Sequence, residues 1–343
     1  MMPSAGHSTS PAPALTSPSP TIAQTSAQVS EYDRPFQGAI LTPSRWCAVM
    51  GTLSILALLL AMVCLQLGTQ YIGLGKILAL LSSSVFGPAS DNEALRTTGV
   101  ILLQVRLPRV FLGFLVGSCL ASVGVALQAL LRNPLADPYV LGVSSGAALG
   151  VAIAVLFGIG TTVLALSLLP VCGFAGGLVA LLVIYRMAAT SDRLPIHSVL
   201  LAGVILNAIF SALIMFITSI MEPNRSFGMM AWLMGSLTAP AYPVLVALTA
   251  YLLLGLVLLL KQVRVLNVLA LGEEPARSLG INTEGAKRFI FLLSALMTGA
   301  VVSFSGMIGF IGMIIPHAVR LVLGADHRLL LPASALVGGM FLM

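Results

Sequence analysis

Long apolar stretches separated by short polar segments fill the chain from about residue 46 onward. The length of each stretch is close to the 17–25 residues, roughly, that an α-helix needs to cross a hydrocarbon core of about 30 Å. Such helices satisfy their own backbone hydrogen bonds in lipid, and the weak alternation of polar and apolar positions argues against a β-barrel. The pattern predicts nine spans, at about 46–67, 110–130, from 142–150 onward, 164–187, 199–220, 244–260, 289–305, 306–324 and from 329 onward.

Three segments between these spans are too polar to cross a membrane. Residues 68–105 are expected to form a loop with one short amphipathic piece, Ile72 to Leu81. Residues 132–138 contain two prolines, which remove backbone donors and break a helix, so a tight structural turn through Asn133, Pro134 and Asp137 is predicted. Residues 221–243 are expected to lie along a membrane face.

Composition supports an integral membrane protein. The 343 residues are 58% hydrophobic, with a mean hydropathy of +1.04, which is more apolar surface than a soluble core of this size could bury. We therefore predict an all-α, polytopic transmembrane helix bundle over residues 41–343. Residues 1–40 are rich in Ser, Thr, Pro, Ala and Gln and lack the pattern of a signal peptide, so they are predicted to form a disordered cytoplasmic tail.

The charge distribution predicts which side of the membrane each loop faces. The chain has a net charge of +6, but its basic residues lie at span ends rather than on one face, so nucleic acid is not an expected partner. With the N-terminus in the cytoplasm and the spans alternating, twelve of the 17 Lys and Arg residues fall inside and five outside. This bias follows the positive-inside rule and places residues 261–288 in the cytoplasm.

Residues 261–288 hold eight of the chain's 28 charged residues and are predicted to form two short helices. Glu273 and Glu274 favour a helix start, Pro275 is tolerated in the first turn, and Gly280 can end the helix in a left-handed conformation. The second helix is expected to begin at an Asn282 N-cap and to continue into the seventh span.

The apolar residues Leu271, Ala276 and Leu279 of this stretch are expected to be exposed, as a contact for a soluble partner. A plain solvated loop is the alternative interpretation.

No catalytic or metal-binding constellation is present in the sequence. The four His residues are scattered and no P-loop, H-E-x-x-H or G-x-S-x-G motif occurs, so the chain is not expected to hydrolyse ATP itself. Four cysteines lie in apolar segments without a C-x-x-C spacing and are interpreted as packing residues, so no metal site is predicted. Gly, Ser and Pro breaks within apolar segments favour a protein that lines a transport pathway.

Several long motifs carry a family resemblance: RLPRVFLGFLVGSCLASVGVALQALLRNPLADPYVLGVSSGAALG, WLMGSL, LNVLALGEEPARSLGI and SGMIGFIGMIIPHAVRLVLGADHRLLLPASALVGG. In this order, and over nearly all of residues 106–343, the sequence closely resembles the FecCD-type permeases of bacterial ABC importers for iron siderophores, haem and cobalamin.

The resemblance implies a type II ABC importer permease with ten spans per subunit, multi-pass in the bacterial cytoplasmic membrane. It implies a second permease subunit, identical or paralogous, with the substrate passing along the subunit interface. An extracytoplasmic binding protein would deliver the substrate, and two cytoplasmic ATPase subunits, which hold the ATP and Mg, would drive transport. The chain itself would bind no cofactor and would not be an enzyme.

The resemblance also assigns roles to residues. The family's ATPase-coupling loop corresponds to Gly272, Glu273, Glu274, Ala276, Arg277, Ser278 and Gly280. Arg106 and Arg109 match arginines that face the binding protein, with anchoring at the membrane interface as the alternative. The cytoplasmic gate corresponds to Pro195, Ile196, His197 and Ser198, although Ile196 and His197 are bulkier than the family pattern, and an ordinary loop histidine is the alternative for His197.

Two polar residues within predicted spans, Gln128 and Asn207, are pathway candidates, with interhelical hydrogen bonding as the alternative. Pro316, His317 and Arg320 are expected to shape the inner end of span eight. The family continues beyond span nine into a tenth helix, whereas this sequence ends at Met343, so the C-terminal span is expected to be missing.

The predicted function is the permease subunit of an ATP-driven ferric siderophore importer. No residue distinguishes this cargo from haem or cobalamin. A secondary transporter driven by an ion gradient would need carboxylates within the membrane, and no Asp or Glu lies inside a predicted span. A membrane-embedded enzyme would need clustered His, Glu or Asp residues.

Overall fold

A computed structural model describes residues 41–68, 70–86, 93–159, 162–163, 166–189 and 195–343. For residues 81–86, 93–96, 162–163 and 166–167 it describes the backbone alone. The tail predicted for residues 1–40 lies outside the described residues.

Helices dominate the described chain. They are α1 (Pro43–Gln66), α2 (Leu74–Phe86), α3 (Glu93–Val100), a π-helix (Ile101–Arg106), α4 (Leu107–Leu131), a 3-10 helix (Pro138–Leu141), α5 (Val143–Leu156), α6 (Leu169–Ala188), α7 (Ile196–Ile220), α8 (Pro223–Leu233), α9 (Tyr242–Lys261), α10 (Val263–Leu269), α11 (Glu273–Ser278), α12 (Thr283–Ser305), α13 (Ile311–Leu323) and α14 (His327–Leu342). Two-residue strands, β1 (Thr162–Val163) and β2 (Leu166–Ser167), pair antiparallel between α5 and α6.

Six of the described helices are long and apolar enough to cross a membrane: α1, residues 97–131, α6, α7, α9 and α12. Three shorter apolar helices, α5, α13 and α14, account for the other predicted spans. The prediction of an all-α, polytopic helix bundle is confirmed, and each of the nine predicted apolar segments contains a helix.

The loop predicted for residues 68–105 is wrong in its second half. Residues 97–131 form one continuous helical stretch through α3, the π-helix and α4. We expected the helix to begin after Arg109 because Arg106, Pro108 and Arg109 resemble a span boundary. The amide of Leu107, directly before Pro108, donates to the Leu102 carbonyl in the wider π pattern, so the helix continues through this point.

Small residues bring the central helices into backbone contact. A Cβ on Gly117 of α4 would lie 2.0 Å from the carbonyl oxygen of Gly338 in α14, which is shorter than any van der Waals contact. Between α5 and α6, a Cβ on Gly150 would lie 2.3 Å from the carbonyl oxygen of Cys172. Close approach through glycine lets membrane helices gain dispersion contacts where no hydrophobic effect drives their association. These contacts build a core around α4, which is almost entirely buried.

A non-helical segment meets the 3-10 helix inside the bundle. Residues 306–310, between α12 and α13, lie against the 3-10 helix because the Ile308 amide donates to the Tyr139 hydroxyl at 2.8 Å. In the predicted turn before this helix, Asn133 Oδ1 accepts from the Leu135 amide and Asp137 Oδ1 accepts from the Tyr139 amide. The eighth span therefore begins at Ile311 rather than at residue 306.

Candidate coupling site and the other predicted positions

The short helix α11 has the boundaries that its sequence predicts. It begins at Glu273 directly after Gly272, whose φ of +127° favours glycine, and a second positive φ at Gly280, +77°, follows its end. Asn282 caps α12, because its Oδ1 accepts from the Gly285 amide at 2.9 Å. The second helix of the stretch is thus the beginning of α12. A further short helix, α10, precedes α11 and was not predicted.

Four charged side chains fasten α11 to the first turns of α12. Lys287 Nζ lies 3.1 Å from Glu273 Oε1 and 2.7 Å from Glu284 Oε1. Arg277 Nη2 lies 3.3 Å from Glu273 Oε2 and 3.6 Å from Glu284 Oε1. Each cation therefore bridges the same two carboxylates, one from α11 and one from α12. We call these four residues the charged network.

The two cations of the charged network differ in their environment. The Lys287 side chain is 4% exposed, whereas that of Arg277 is 54% exposed. A buried ammonium has lost its hydration, so its two carboxylate partners are needed to stabilise the charged form, and removing one partner is costly. An exposed ion pair is screened by water and contributes little. Lys287 is therefore the cation on which the attachment of α11 mainly depends.

Two exposed apolar side chains flank α11. Leu271, two residues before the helix, is 72% exposed and Leu279, directly after it, is 67% exposed, so the predicted exposure is confirmed and their role as a contact surface stays a prediction. The prediction for Ala276 is wrong, because its side chain is fully buried and belongs to the hydrophobic core. Ala276 lies on the inward face of the helix, where its small side chain permits close packing. Glu274, Ser278 and Gly280 are exposed.

The two arginines predicted to meet a binding protein differ in their exposure to solvent. Arg109 is exposed. Arg106 is only 9% exposed, and its guanidinium donates to the carbonyl oxygens of Leu65 at 2.9 Å, Gln66 at 3.2 Å and Gln70. The last carbonyls of a helix have no partners within it, and Arg106 supplies donors for the end of α1. The docking role assigned to Arg106 is therefore corrected to a structural one, and Arg109 keeps its predicted role.

The predicted gate residues form the beginning of α7. Pro195 is the N-cap, Ile196, His197 and Ser198 are in the first turn, and His197 is exposed. Ile196 lines a small cavity of about 10 Å³ together with Val199 and Lys287. The gate candidates and the charged network are therefore neighbours, a proximity that the sequence does not reveal.

The pathway candidates Gln128 and Asn207 differ in burial and in hydrogen bonding. Gln128 is buried, and its Nε2 donates to the carbonyl oxygens of Met313 at 3.1 Å and Gly312 at 3.4 Å. This is the interhelical hydrogen bonding given as the alternative. Asn207 is exposed on the apolar surface of α7 and remains a candidate for contact with a substrate or a second subunit.

Sequence reasoning missed Glu284 and Lys287 as members of the site. Their i, i+3 spacing at the start of a helix is a recognisable ion-pair signal, but it does not show that Glu273 and Arg277 would join the pair.

A second polar cluster was also missed. Asn267 of α10 donates from Nδ2 to Asp326 Oδ1 at 2.9 Å, and its Oδ1 accepts from the His327 amide at 2.9 Å.

Pro316 and His317 lie in the middle of α13, with Pro316 buried and His317 exposed, and Arg320 lies in its last turn. No three His, Cys, Asp or Glu side chains of the described chain are grouped so that they could hold a metal ion.

Comparison with known proteins identifies the family. The model of the FecCD transport family matches residues 55–343. The cobalamin import system permease protein BtuC of Halobacterium salinarum is 41% identical over 248 residues, which cover 72% of this chain and 66% of that protein. The hemin transport system permease protein HmuU of Yersinia pestis is 40% identical over 288 residues, covering 83% and 84% of the two chains.

A solved structure supports the same assignment. It is described as an inward-facing conformation of a metal-chelate type ABC transporter, and it aligns with a TM-score of 0.71 at 30% identity, covering 87% of this chain and 88% of that one. The resemblance inferred from the motifs is confirmed. The chain belongs to the FecCD transport family and is a multi-pass membrane permease of the ABC importer class.

Proposed function

We propose that this chain is the permease subunit of an importer that moves ferric siderophore across the bacterial cytoplasmic membrane at the expense of ATP. The observation that carries the proposal is α11, a short helix that is flanked by exposed Leu271 and Leu279 and is fastened by a buried cation to the membrane-crossing helix α12. Such an element can transmit a displacement from a bound soluble protein to the transmembrane helices. The permease hydrolyses no ATP itself, and ATP and Mg belong to the partner ATPase.

The partner at α11 is proposed to be one of two ATPase subunits. Leu271 and Leu279 offer apolar contacts that gain free energy when they enter a complementary cleft. Glu274 and Ser278 supply polar contacts beside them. Gly272 and Gly280 provide the positive φ values that allow the chain to enter and leave so short a helix. Glu273 and Arg277 act from within the charged network rather than as free surface charges.

The second permease subunit is proposed to pack along α7. This helix is 25 residues long and strongly apolar. Only 22% of its most apolar stretch of 18 residues is buried within the subunit. Asn207 lies on the exposed part of this surface. A substrate pathway between two copies would place Asn207 beside the cargo, with residues 195–198 at its cytoplasmic mouth. An extracytoplasmic binding protein would deliver the cargo near Arg109.

The cargo is the finer part of the proposal. Ferric siderophores are metal chelates, and the aligned solved structure is described as a metal-chelate type transporter. The two relatives named for cobalamin and hemin support the alternative equally well. The genes beside this one are the least costly source of evidence on cargo.

Reconstitution tests the proposal directly. The chain is placed in proteoliposomes with the ATPase and the binding protein encoded beside it, and uptake of a ferric siderophore, haem and cobalamin is measured with and without enclosed ATP. We expect ATP-dependent uptake of the ferric siderophore and none with an ATPase subunit that cannot hydrolyse ATP. Uptake of haem or cobalamin alone would replace the cargo and keep the permease function, whereas uptake of none of the three would reject the proposal.

A secondary transporter is disfavoured by the acidic residues. The nine apolar helices of the described chain contain one carboxylate, Glu284, in the first turn of α12, where it pairs with Lys287. Ion coupling within a membrane usually needs carboxylates at depth. Uptake that persists without ATP and stops when a protonophore is added would favour this alternative.

A further inference from the structure

Lys287 has two sets of neighbours that belong to different functional elements. Its ammonium group lies between Glu273 of α11 and Glu284 of α12, at 3.1 Å and 2.7 Å. Its side chain also lines the cavity of about 10 Å³ whose wall includes Ile196 and Val199 of α7. A space of this size barely accommodates one water molecule, so Lys287 and the beginning of α7 are close neighbours.

From this arrangement we propose that Lys287 is a positioning residue that links α11 to the cytoplasmic beginning of α7. When α11 shifts, the two ion pairs move the Lys287 side chain, which faces the beginning of α7 across the shared cavity, and this movement displaces the first turn of α7. The inference rests on the proposed function, in which α11 receives the motion of the ATPase and residues 195–198 form the gate.

The charge arrangement explains why a buried lysine suits this role. A desolvated ion pair is held in place by the cost of separating its charges, so α11 and α12 move together rather than slide past each other. Glu273 and Glu284 are partly exposed, so each retains some hydration while the ammonium has almost none. The attachment is therefore concentrated at one side chain.

A second set of hydrogen bonds attaches the preceding helix, α10, to the bundle. Asn267 of α10 bonds both to Asp326 and to the amide of His327, at the beginning of α14. Only residues 270–272 separate α10 from α11. Because α10 is bonded to the beginning of α14, α10 is held in place on the N-terminal side of α11.

Hydrogen exchange on the purified full chain tests the link without any partner. The variant is Lys287→Met, which keeps the aliphatic stem and removes the charge, and the matched control is Lys261→Met, at an exposed lysine that ends α9. The amides to follow are the hydrogen-bonded ones at 276–281 in and after α11 and at 199–203 in α7. We expect exchange to rise at least about tenfold in both segments for Lys287→Met and less than about twofold for Lys261→Met.

The outcomes separate the link from a local anchor. Faster exchange at 276–281 alone would make Lys287 an anchor of α11 only and would overturn the link to α7. Unchanged exchange in both segments would overturn the proposal altogether. If Lys287→Met does not reach the membrane, Glu284→Gln, at a partly exposed partner, must loosen the same two segments for the proposal to stand.

Transport in the full assembly gives the functional readout. We expect Lys287→Met to retain ATP hydrolysis but to move at least about tenfold less substrate per ATP, with Lys261→Met at the wild-type ratio. A wild-type ratio in Lys287→Met would overturn the proposal, since a residue that only supports folding would lower both rates together. If the wild-type assembly shows no ATP-dependent uptake, the proposed function fails, while the exchange experiment still decides whether Lys287 joins α11 to α7.

Discussion

The guanidinium of Arg106 donates to the carbonyl oxygen of Leu65 at 2.9 Å and holds the end of α1 against the π-helix. Further bonds to Gln66 and Gln70 make one side chain the partner of three carbonyl groups. An arginine in a predicted outside loop thus stabilises the fold, and its neighbour Arg109 carries the exposed charge.

Replacing Arg106 is expected to destabilise the subunit. Arg106→Met removes three charge-assisted hydrogen bonds at and just after the end of α1, and the free energy of unfolding should fall by about 2–3 kcal/mol. Thermal unfolding in detergent measures the effect. Arg109→Met, at an exposed position, serves as the control and should leave the midpoint unchanged. Equal midpoints for the two variants would contradict the structural role of Arg106.

Reversing the charge of Arg109 is expected to weaken association with the binding protein. Exposed charges at the edge of an interface act mainly through the encounter rate, so the effect of Arg109→Glu should shrink as salt is raised. Association kinetics at low and high ionic strength provide the measurement. Lys76→Glu, at another exposed cation of the predicted outside loop, controls for net charge. An association rate that Arg109→Glu leaves unchanged at low salt would remove Arg109 from the docking surface.

Polar substitutions at Leu271 and Leu279 should prevent ATPase binding without harming the fold. Both side chains are exposed, so Leu271→Ser together with Leu279→Ser should leave thermal stability within about 0.5 kcal/mol of the wild type. Co-purification of the ATPase should fall at least about tenfold. These changes test coupling more cleanly than charge reversal at Glu273 and Arg277, which would also disrupt the pairing of buried Lys287.

Ala276, in the helix that these two leucines flank, is expected to behave in the opposite way. Its side chain is fully buried, so Ala276→Leu should overpack the core and cost about 1–3 kcal/mol of stability. Thermal unfolding measures this cost directly. A stable Ala276→Leu variant that loses the ATPase would instead mean that Ala276 faces the partner, as the sequence suggested.

Any side chain at Gly117 is expected to separate α4 from α14. A Cβ there would lie 2.0 Å from the Gly338 carbonyl oxygen, so Gly117→Ala must move one of the two backbones. We expect little folded protein in detergent, as measured by size-exclusion chromatography after heating. Gly51→Ala in α1 is the matched control, because nothing apart from its own stretch of helix lies within 4 Å of the added methyl group. A monodisperse Gly117→Ala variant with wild-type stability would contradict the described packing.

The sequence predicted those features that depend on local chemistry. Apolar length located the nine apolar helices of the described chain, six of them long enough to cross a membrane, and Asn282 and Gly280 marked helix ends because their side-chain and backbone preferences act over a few residues. The inward position of Ala276 was missed because a six-residue helix has too few turns to reveal which face is buried. Arg106 was misassigned because its partners lie about 40 residues away in the chain. The charged network escaped prediction for the same reason, since Glu273 and Lys287 meet only after α11 folds back on α12.

The bond from the Ile308 amide to the Tyr139 hydroxyl constrains how this sequence can evolve. Phe at position 139 would preserve the ring and its packing but leave a partly buried amide without an acceptor. The amide could regain a partner only if residues 306–310 changed shape, which would displace the beginning of α13. Substitutions at position 139 and in residues 306–310, nearly 170 residues apart, are therefore expected to occur together. The hydroxyl group at position 139 should be retained for as long as residues 306–310 stay non-helical.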